Sequence, residues 1–489
     1  MSYSRRHRPI RTLRLIGFAG LCCICALVAG SRTPTELERI VEAGSLPILS
    51  RNGPTTYYEG PVGLTGFEYS LASAFAKELG VELEIREEEN LGVMLDSVGT
   101  DAGHFGASGL TITEARQQKV RFGEPYLDIT QQLIYRKGQP RPKTVEDLIG
   151  KDILVIANSA HAENLRALQA EHPELRWRER ADLEMIDLVE MVHDGKIDFS
   201  IVDSNAYDIN RTIYPRARVA FDISEPQQLA WAFPQSADSS LYDAAQDFLT
   251  RVKQDGRLDE IKDYYYGHVD EVNHSGALVF SKRVKQRLPR YRGYLQVAGD
   301  MFNLEWELLA AISYQESHWN PRAKSPTGVR GLMMLTRATA SEVGVENRID
   351  PIQSIYGGAK YFKKIFDRIP QRIQGPDRTW MALAAYNVGF GHLEDARILT
   401  ERHGGNPNKW ADVKENLPLL AKRKYYRTVK HGYARGWEPV KYVQNIRNFY
   451  NVLAWHSQLE TRRIAATESE AALQAVKFDS ERLSGMSQL

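Results

Sequence analysis

The sequence predicts a multidomain protein in which an α/β domain is followed by an α-rich domain. Its 489 residues exceed the roughly 100–200 residues of a single domain. Between residues 31 and about 268, strand-like runs alternate with helix-like runs, a pattern typical of an α/β sheet. Beyond Ser281 there are few strand-like runs, and apolar residues recur at helical spacing.

The composition is that of a soluble globular chain. Hydrophobic residues make up 43% and charged residues 26%, values that exclude a multi-span membrane protein and a wholly disordered chain. The formal net charge is only +1, whereas nucleic-acid binding usually needs a clear basic excess. We therefore expect no nucleic-acid partner.

Residues 1–30 have the pattern of an export signal. Five arginines precede an uncharged run, residues 15–30, which ends in small residues, so cleavage is expected after Ala29 or Gly30. An uncleaved N-terminal anchor is the alternative, although 16 residues fall short of the ~20 that a spanning helix needs. No later segment is long and apolar enough to span a bilayer, so later membrane attachment must be peripheral.

All three cysteines, Cys22, Cys23 and Cys25, lie within this leader. The globular part therefore contains no disulfide, zinc–thiolate cluster or catalytic thiol. A large residue or another cysteine precedes each of them, which does not fit lipidation. We predict neither a metal nor an organic cofactor.

Residues 31–268 are predicted to form the α/β domain. Strands are expected at 46–50, 81–85, 152–158 and 198–203, and a helix around 160–170. Apolar residues at 67, 71, 75 and 79 form one face of another helix, which Gly80 ends. In such sheets, ligands bind at the carboxyl ends of the strands.

Three segments of this domain, GFEYSLASAFAKELGVELE, SGLTITEARQQKVRFGEPY and GKIDFSIVDSNAY, resemble motifs of the periplasmic amino-acid-binding proteins of solute-binding family 3. That resemblance implies a non-catalytic, regulatory two-lobed clamp that binds an amino acid, peptide or muropeptide effector. It places Arg116 on the ligand carboxylate and Asp203 on its ammonium, with further contacts from Ser108, Thr111 and Ser159. A guanidinium fork matches a carboxylate.

Other readings of the clamp residues stay open at this point. Arg116 could pair with Glu114 or Glu124 at the surface, and Asp203 could be a turn residue. The second-lobe loop reads Asn158-Ser159, where the family usually has Gly followed by Ser or Thr.

Glu316 is the candidate catalytic residue of the α-rich domain. It follows Leu304, Leu308 and Ile312 at intervals of four, so it continues an apolar helix face, and Asn320-Pro321 is expected to end the helix. Burial raises the pKa of a carboxyl, and a carboxyl that stays protonated near neutral pH can protonate a glycosidic oxygen. The alternative is a helix-end glutamate with a local partner.

Five motifs in this domain resemble the signature of soluble-type lytic transglycosylases, whose catalytic domain is goose-lysozyme-like: E-S-x-W-N-P at 316–321, S-P at 325–326, G-L-M at 331–333, A-Y-N at 385–387 and K-Y-V at 441–443. The resemblance implies a catalytic domain at 269–460, with Glu316 as acid/base. It further implies substrate contacts from the following residues: Ser325, Met333, Met334, Thr336, Tyr386, Asn387 and Tyr442. The family often has Gln where Met334 stands.

Core packing is the alternative for Met333, Met334 and Tyr442, and local helix capping is the alternative for Asn387. The polar segment 461–489 is predicted to be a loosely held helix or a disordered tail.

The resemblance implies non-hydrolytic cleavage of peptidoglycan between N-acetylmuramic acid and N-acetylglucosamine, giving a 1,6-anhydro end. It also implies export to the periplasm and peripheral attachment to the inner face of the outer membrane. Two other functions stay open. A hydrolytic muramidase would use Asp350, Glu342 or Glu346 as a second carboxylate, and a sensor or scaffold would bind glycan without cutting it.

Overall fold

The computed structural model describes residues 33–60, 63–266, 274–325 and 328–486, without the side chains of 274–276, 278 and 463–486. The export signal and the three cysteines lie outside the described residues. The described part confirms the predicted fold class, a two-lobed α/β clamp followed by a helical domain. None of its helices has both the length and the apolar character needed to cross a bilayer.

The first lobe contains parallel strands β1 and β4, antiparallel strands β5 and β13, and several helices packed around them. Its N-terminal elements are α1 (Glu36–Ala43), β1 (Ser45–Ser50), β2 (Tyr58–Gly60), β3 (Gly63–Thr65), α2 (Phe67–Leu79), β4 (Glu82–Glu87), α3 (Leu91–Ser97), α4 (Glu114–Gln117), β5 (Val120–Phe122) and β6 (Leu127–Ile129). The chain later returns to it through β12 (Gln227–Leu229), β13 (Ala232–Pro234), α8 (Ser240–Gln254) and α9 (Arg257–Tyr265).

The second lobe is built on a five-stranded mixed sheet with the order β11-β7-β10-β8-β9. Its elements are β7 (Gln131–Arg136), β8 (Ile153–Ile156), α5 (Ala160–Glu171), β9 (Arg178–Arg180), α6 (Met185–Asp194), β10 (Phe199–Asp203), α7 (Ser204–Asn210) and β11 (Ala217–Asp222). The two connections between the lobes run side by side, because β6 pairs with β12 in antiparallel register.

The helical domain surrounds the largest of the apolar cores. Its helices are α10 (His274–Gln286), α11 (Arg292–Phe302), α12 (Trp306–Ser317), α13 (Arg337–Val343), α14 (Pro351–Arg368), α15 (Asp377–Val388), α16 (Phe390–Arg402), α17 (Trp410–Asn416), α18 (Arg423–Tyr426) and α19 (Trp437–Met486). Short 3₁₀ turns occur at 146–148, 288–290 and 417–421.

The clamp and the helical domain are joined by buried polar and aromatic contacts. Asp263 of α9 accepts hydrogen bonds from Lys414, at 2.8 Å, and from the buried guanidinium of Arg447 on α19. Further along α19, Trp455 packs edge-on against Tyr58 of the first lobe, with ring centroids 5.3 Å apart. One helix thus contacts both parts of the molecule.

Candidate active site and clamp cleft

Glu316 lies in the last turn of α12. That helix spans Trp306–Ser317, so it begins after Leu304 and ends before the predicted Asn320-Pro321. The early end has a clear cause: His318 and Trp319 both take left-handed backbone conformations, with φ of 52° and 55°. The buried indole of Trp319 donates a hydrogen bond to the Ala310 carbonyl at 3.0 Å and holds this turn in place.

The carboxyl of Glu316 accepts a hydrogen bond of 2.6 Å from the Tyr442 hydroxyl. Burial raises the pKa of Glu316 to about 7, although the bond from Tyr442 acts to lower it. No basic side chain among the described residues forms an ion pair with it. Because Tyr442 belongs to α19, the partner of Glu316 is distant in sequence, not local. Near neutral pH, a large fraction of this carboxyl carries a proton.

The G-L-M turn packs against the same end of α12. The hydroxyl of Ser317 donates to the Leu332 carbonyl at 2.8 Å. Gly331 has φ of 91°, and a Cβ there would lie 1.8 Å from the Arg348 carbonyl oxygen, so only glycine fits. Met333 is fully buried in the core, whereas Met334, at φ 45°, is partly exposed. Of the two methionines, Met334 is therefore the one that can reach a ligand.

The remaining predicted substrate residues are spread around this turn. Tyr386 donates to the Met333 carbonyl at 3.1 Å and not to Glu316. Asn387 is exposed at the end of α15, and among the described residues it makes no hydrogen bond to Glu316. Thr336 caps α13 by accepting from the Thr339 amide at 2.9 Å. Ser325 lies in a turn in which the Val329 amide donates to its hydroxyl at 3.2 Å.

The candidate second carboxylates have other partners. Asp350 caps α14 through the Gln353 amide, at 2.8 Å, and Glu342 pairs with Lys364. Glu346 is exposed. Within the described ranges, no group of three or more His, Cys, Asp or Glu side chains is arranged to hold a metal ion.

In the clamp cleft, Arg116 is buried and already holds a carboxylate. Its Nε donates to Glu163 at 2.9 Å, and its terminal nitrogens donate to the carbonyls of Thr111, at 3.3 Å, and Asn158, at 3.2 Å. Neither Glu114 nor Glu124 is its partner, since Glu124 pairs with Lys253. Glu163 lies on α5 of the second lobe, so this ion pair joins the two lobes.

Asp203 is buried at the end of β10 and pairs with His161 at 2.9 Å. Ser159 caps α5 and donates to the Ile156 carbonyl at 2.6 Å, whereas the buried hydroxyl of Ser108 has no partner among the described residues. Asn158 adopts φ of 56°, which explains why asparagine replaces the usual glycine here. The same turn ends β8 at Ile156, earlier than predicted.

Two clamp residues that the sequence did not point to, Glu163 and His161, pair with the predicted effector-binding residues Arg116 and Asp203. Glu184 of the second lobe pairs with Arg51 of the first at 2.6 Å, and burial raises the pKa of Glu184 to about 7 despite this arginine. The cleft lined by Arg51, Ser108 and Glu184 has a volume of only about 30 Å³. The clamp is therefore closed on its own side chains.

Comparison with known proteins gives two family matches. Residues 48–268 match the bacterial extracellular solute-binding proteins, family 3, and residues 293–407 match the transglycosylase SLT domain. Among curated proteins, a membrane-bound lytic murein transglycosylase F of Saccharophagus degradans is 62% identical over 92% of this chain and 90% of the relative. A protein of the same name from Cellvibrio japonicus is 50% identical over 90% of this chain and 89% of the relative.

Two solved structures of binding proteins each cover about half of this chain. A mutant ArgBP from T. maritima is 24% identical, covers 47% of this chain and 99% of its own, and has a TM-score of 0.43. A cysteine-binding protein from Campylobacter jejuni is 17% identical, covers 50% of this chain and 98% of its own, and has a TM-score of 0.44.

Proposed function

Since this chain belongs to the membrane-bound lytic murein transglycosylase F family and is a lyase that acts on peptidoglycan, we propose that Glu316 is its catalytic acid/base. The observation that carries this assignment is the environment of the Glu316 carboxyl. It is largely enclosed, so that burial raises its pKa to about 7, and it is held by the Tyr442 hydroxyl, with no cation paired to it among the described residues. Such a group is protonated often enough to act as an acid and is a competent base once it has lost its proton.

The proposed reaction uses one carboxyl twice. Neutral Glu316 gives its proton to the glycosidic oxygen between N-acetylmuramic acid and N-acetylglucosamine, and the bond from that oxygen to C1 of the muramic residue breaks. The acetamido group of the substrate helps to stabilise the positive charge at C1. The Glu316 carboxylate then takes the proton of the muramic 6-hydroxyl, whose oxygen bonds to C1 and closes a 1,6-anhydro ring. No water is consumed.

The other residues would act around Glu316. Tyr442 positions the carboxyl, and the Tyr386 hydroxyl fixes the turn at Met333 that leads into the cleft. Met334, Thr336, Ser325 and Asn387 have surface available for glycan. Hydrolysis is less well supported, because Asp350 and Glu342, two of the three candidates for activating water, are engaged in a helix cap and an ion pair, and only Glu346 is exposed without such a role.

The test is mass spectrometry of the muropeptides that the exported chain releases from purified peptidoglycan, compared with those from a Glu316→Gln variant. We expect products one water lighter than hydrolysed muropeptides, and none from the variant. Glu307→Gln is the matched control, because it removes another buried carboxyl from the same helix. Hydrated products would make the protein a muramidase. Absence of products, also with amino acids or peptides present, would favour the sensor or scaffold.

The clamp is proposed to bind an amino acid, peptide or muropeptide effector through Arg116. Support comes from the buried guanidinium that already grips a carboxylate, that of Glu163. An effector carboxylate would have to displace Glu163, and this would free the second lobe to move. Any coupling to catalysis is limited by the preference of the effector for one lobe arrangement. Equal cleavage rates with and without every candidate effector would exclude regulation by this route.

We also propose that the protein is exported to the periplasm and attached peripherally to the inner face of the outer membrane. The curated relatives are named membrane-bound, which supports membrane association. Fractionation of cells into inner-membrane, outer-membrane and soluble material tests the finer placement. Recovery with the inner membrane alone would contradict it.

A further inference from the structure

Helix α11 has an unusual outer face. Its residues Tyr294, Val297 and Met301 are spaced by three and four, so they form one stripe, and they are 42%, 51% and 61% exposed. On the neighbouring face, about a quarter turn around the helix, Leu295 and Ala298 are fully buried in the domain core. The helix thus presents apolar side chains both to the core and to solvent. We call these three exposed residues the α11 stripe.

The segment that leads into the stripe is strongly basic. Residues 274–299 contain six lysines and arginines and no aspartate or glutamate, although the whole chain is balanced at +1. Three of the six have partners: Arg287 donates to the His318 carbonyl, Arg292 pairs with Glu460, and Arg283 lies beside the Tyr314 hydroxyl. Three others are exposed and form no ion pair with a described residue: Lys282, Lys285 and Arg290. Arg290 precedes Tyr294 by four residues.

We propose that the α11 stripe, with Lys282, Lys285 and Arg290, is the surface by which this protein docks on a bilayer containing anionic lipids. This inference rests on the proposed peripheral membrane attachment and gives it a location. Valine and methionine can enter the boundary between headgroups and acyl chains, and tyrosine favours that interface. Lysine and arginine then keep their charges at the level of the lipid phosphates.

A second basic segment without acidic residues differs from the first in its exposed apolar residues, and the difference supports lipid as the partner of the α11 stripe. Residues 422–437 also contain six lysines and arginines, but the exposed apolar residues there are the aromatic Tyr433 and Trp437. A flat ring can lie against the C–H face of a sugar. Segment 422–437 is therefore suited to binding glycan. The aliphatic members of the α11 stripe offer no such face, and they suit lipid.

The experiment is sedimentation of the chain from Ser31 onward, which keeps every described residue, with vesicles. One set is phosphatidylcholine and the other is equal parts phosphatidylcholine and phosphatidylglycerol. We expect binding to the anionic set that weakens as salt is added. Changing Lys282, Lys285 and Arg290 together to glutamine should weaken binding about a hundredfold, since each surface cation contributes about fivefold. Val297→Asp should weaken it by at least about tenfold.

Two matched controls test whether a loss of vesicle binding depends on where a substitution lies or only on the kind of residue that is changed. Val93→Asp places the same change on α3 of the clamp at a valine that is 46% exposed. Glutamine at Lys422, Arg423 and Lys424 removes three exposed cations from the other basic segment. Both controls should bind vesicles as the native chain does, and thermal midpoints should show that all variants are folded.

Several outcomes would overturn the proposal. If Val93→Asp or the 422–424 variant loses binding while the α11 variants keep it, the docking surface lies elsewhere. If the native chain binds no vesicles yet still releases anhydro-muropeptides, peripheral lipid attachment fails while the proposed chemistry stands. If the α11 variants keep vesicle binding but lose binding to purified peptidoglycan, the surface belongs to the glycan.

Discussion

Two glutamates of this protein differ in the side chains that they touch. Glu163 pairs with the Arg116 guanidinium at 2.9 Å. Glu316 touches a phenol, and burial raises its pKa to about 7. The first is suited to holding two lobes together, and the second is suited to giving up a proton. The same side chain thus serves structure in one place and chemistry in the other.

The pH dependence of cleavage should report Glu316. Its proton is needed for the first step, so the rate should fall as pH rises through about 7. In Tyr442→Phe, a bond that lowers this pKa is lost, so the falling limb should move to higher pH. The maximal rate should fall about ten- to a hundredfold, as expected when a hydrogen bond to a charged group is lost. Initial rates across a pH series would measure both effects.

Tyr386→Phe is the control for this prediction. The Tyr386 hydroxyl donates its hydrogen bond to the Met333 carbonyl instead of to Glu316, so the falling limb of the pH–rate profile should stay at its native pH even if the rate changes. A limb that stays at the same pH in Tyr442→Phe would mean that another group sets the profile.

At the residue scale, sequence reasoning found positions more readily than partners. The apolar spacing and the motif series pointed to Glu316, but its hydrogen bond to Tyr442 spans 126 positions. Glu163 was missed because it carries no motif. Its role depends on the second lobe closing over Arg116, 47 positions away, and the closeness of two lobes cannot be read from periodicity.

At the scale of elements, α19 links the parts of the molecule. It supplies Tyr442 to the Glu316 carboxyl, Arg447 to α9 of the clamp and Trp455 to the core between the lobes. The indole of Trp455 is buried against Tyr58. A helix that belongs to the catalytic domain by sequence therefore also forms part of the clamp core.

Trp455→Ala should loosen this link. Removing a buried indole costs about 3–5 kcal/mol, and here the loss falls on the contact between the two domains. We expect the calorimetric unfolding transition to shift to lower temperature and to separate into two. Trp437→Ala is the control on the same helix, because that ring is 50% exposed, and it should leave the transition nearly unchanged. Similar traces for both variants would argue against the link.

Sequence reasoning located most of the elements that it named. Helix α2 spans 67–79 as its four-residue spacing predicts, and Gly80 caps it at φ of 74°. The wrong predictions concern the ends of helices and strands, where single residues leave the regular backbone conformation. Asn158 shortens β8, and His318 with Trp319 shortens α12, because each turns into the left-handed region. Composition does not reveal such turns when the residue is not glycine.

At the scale of the whole molecule, two ion pairs hold the lobes of the clamp together. Arg116 with Glu163, and Arg51 with Glu184, each join one lobe to the other. These ion pairs occupy the charges that an effector would need. Ligand binding would therefore be an exchange of one carboxylate for another at Arg116, and its net free energy would be smaller than that of binding to an open site.

Glu163→Ala should make that exchange unnecessary. The variant frees Arg116, so calorimetric titration with L-amino acids and alanyl-alanine should show tighter binding than in the native chain. Adding Arg116→Ala should abolish the gain. Glu171→Ala, at the exposed end of the same helix, is the control and should behave as native. If Glu163→Ala binds these compounds no better than native, an effector carboxylate does not bind at Arg116.

The continuity of α19 has a mechanical consequence. From Tyr442 to Trp455 is thirteen residues, or about 20 Å of uninterrupted helix. A rigid helix of that length converts a tilt at one end into a displacement of the other end. A tilt of about 5° where the lobes grip Trp455 would carry the Tyr442 end through about 1.7 Å, a large displacement beside a hydrogen bond of 2.6 Å. A small tilt of the helix at the clamp would thus displace the Tyr442 hydroxyl relative to the Glu316 carboxyl.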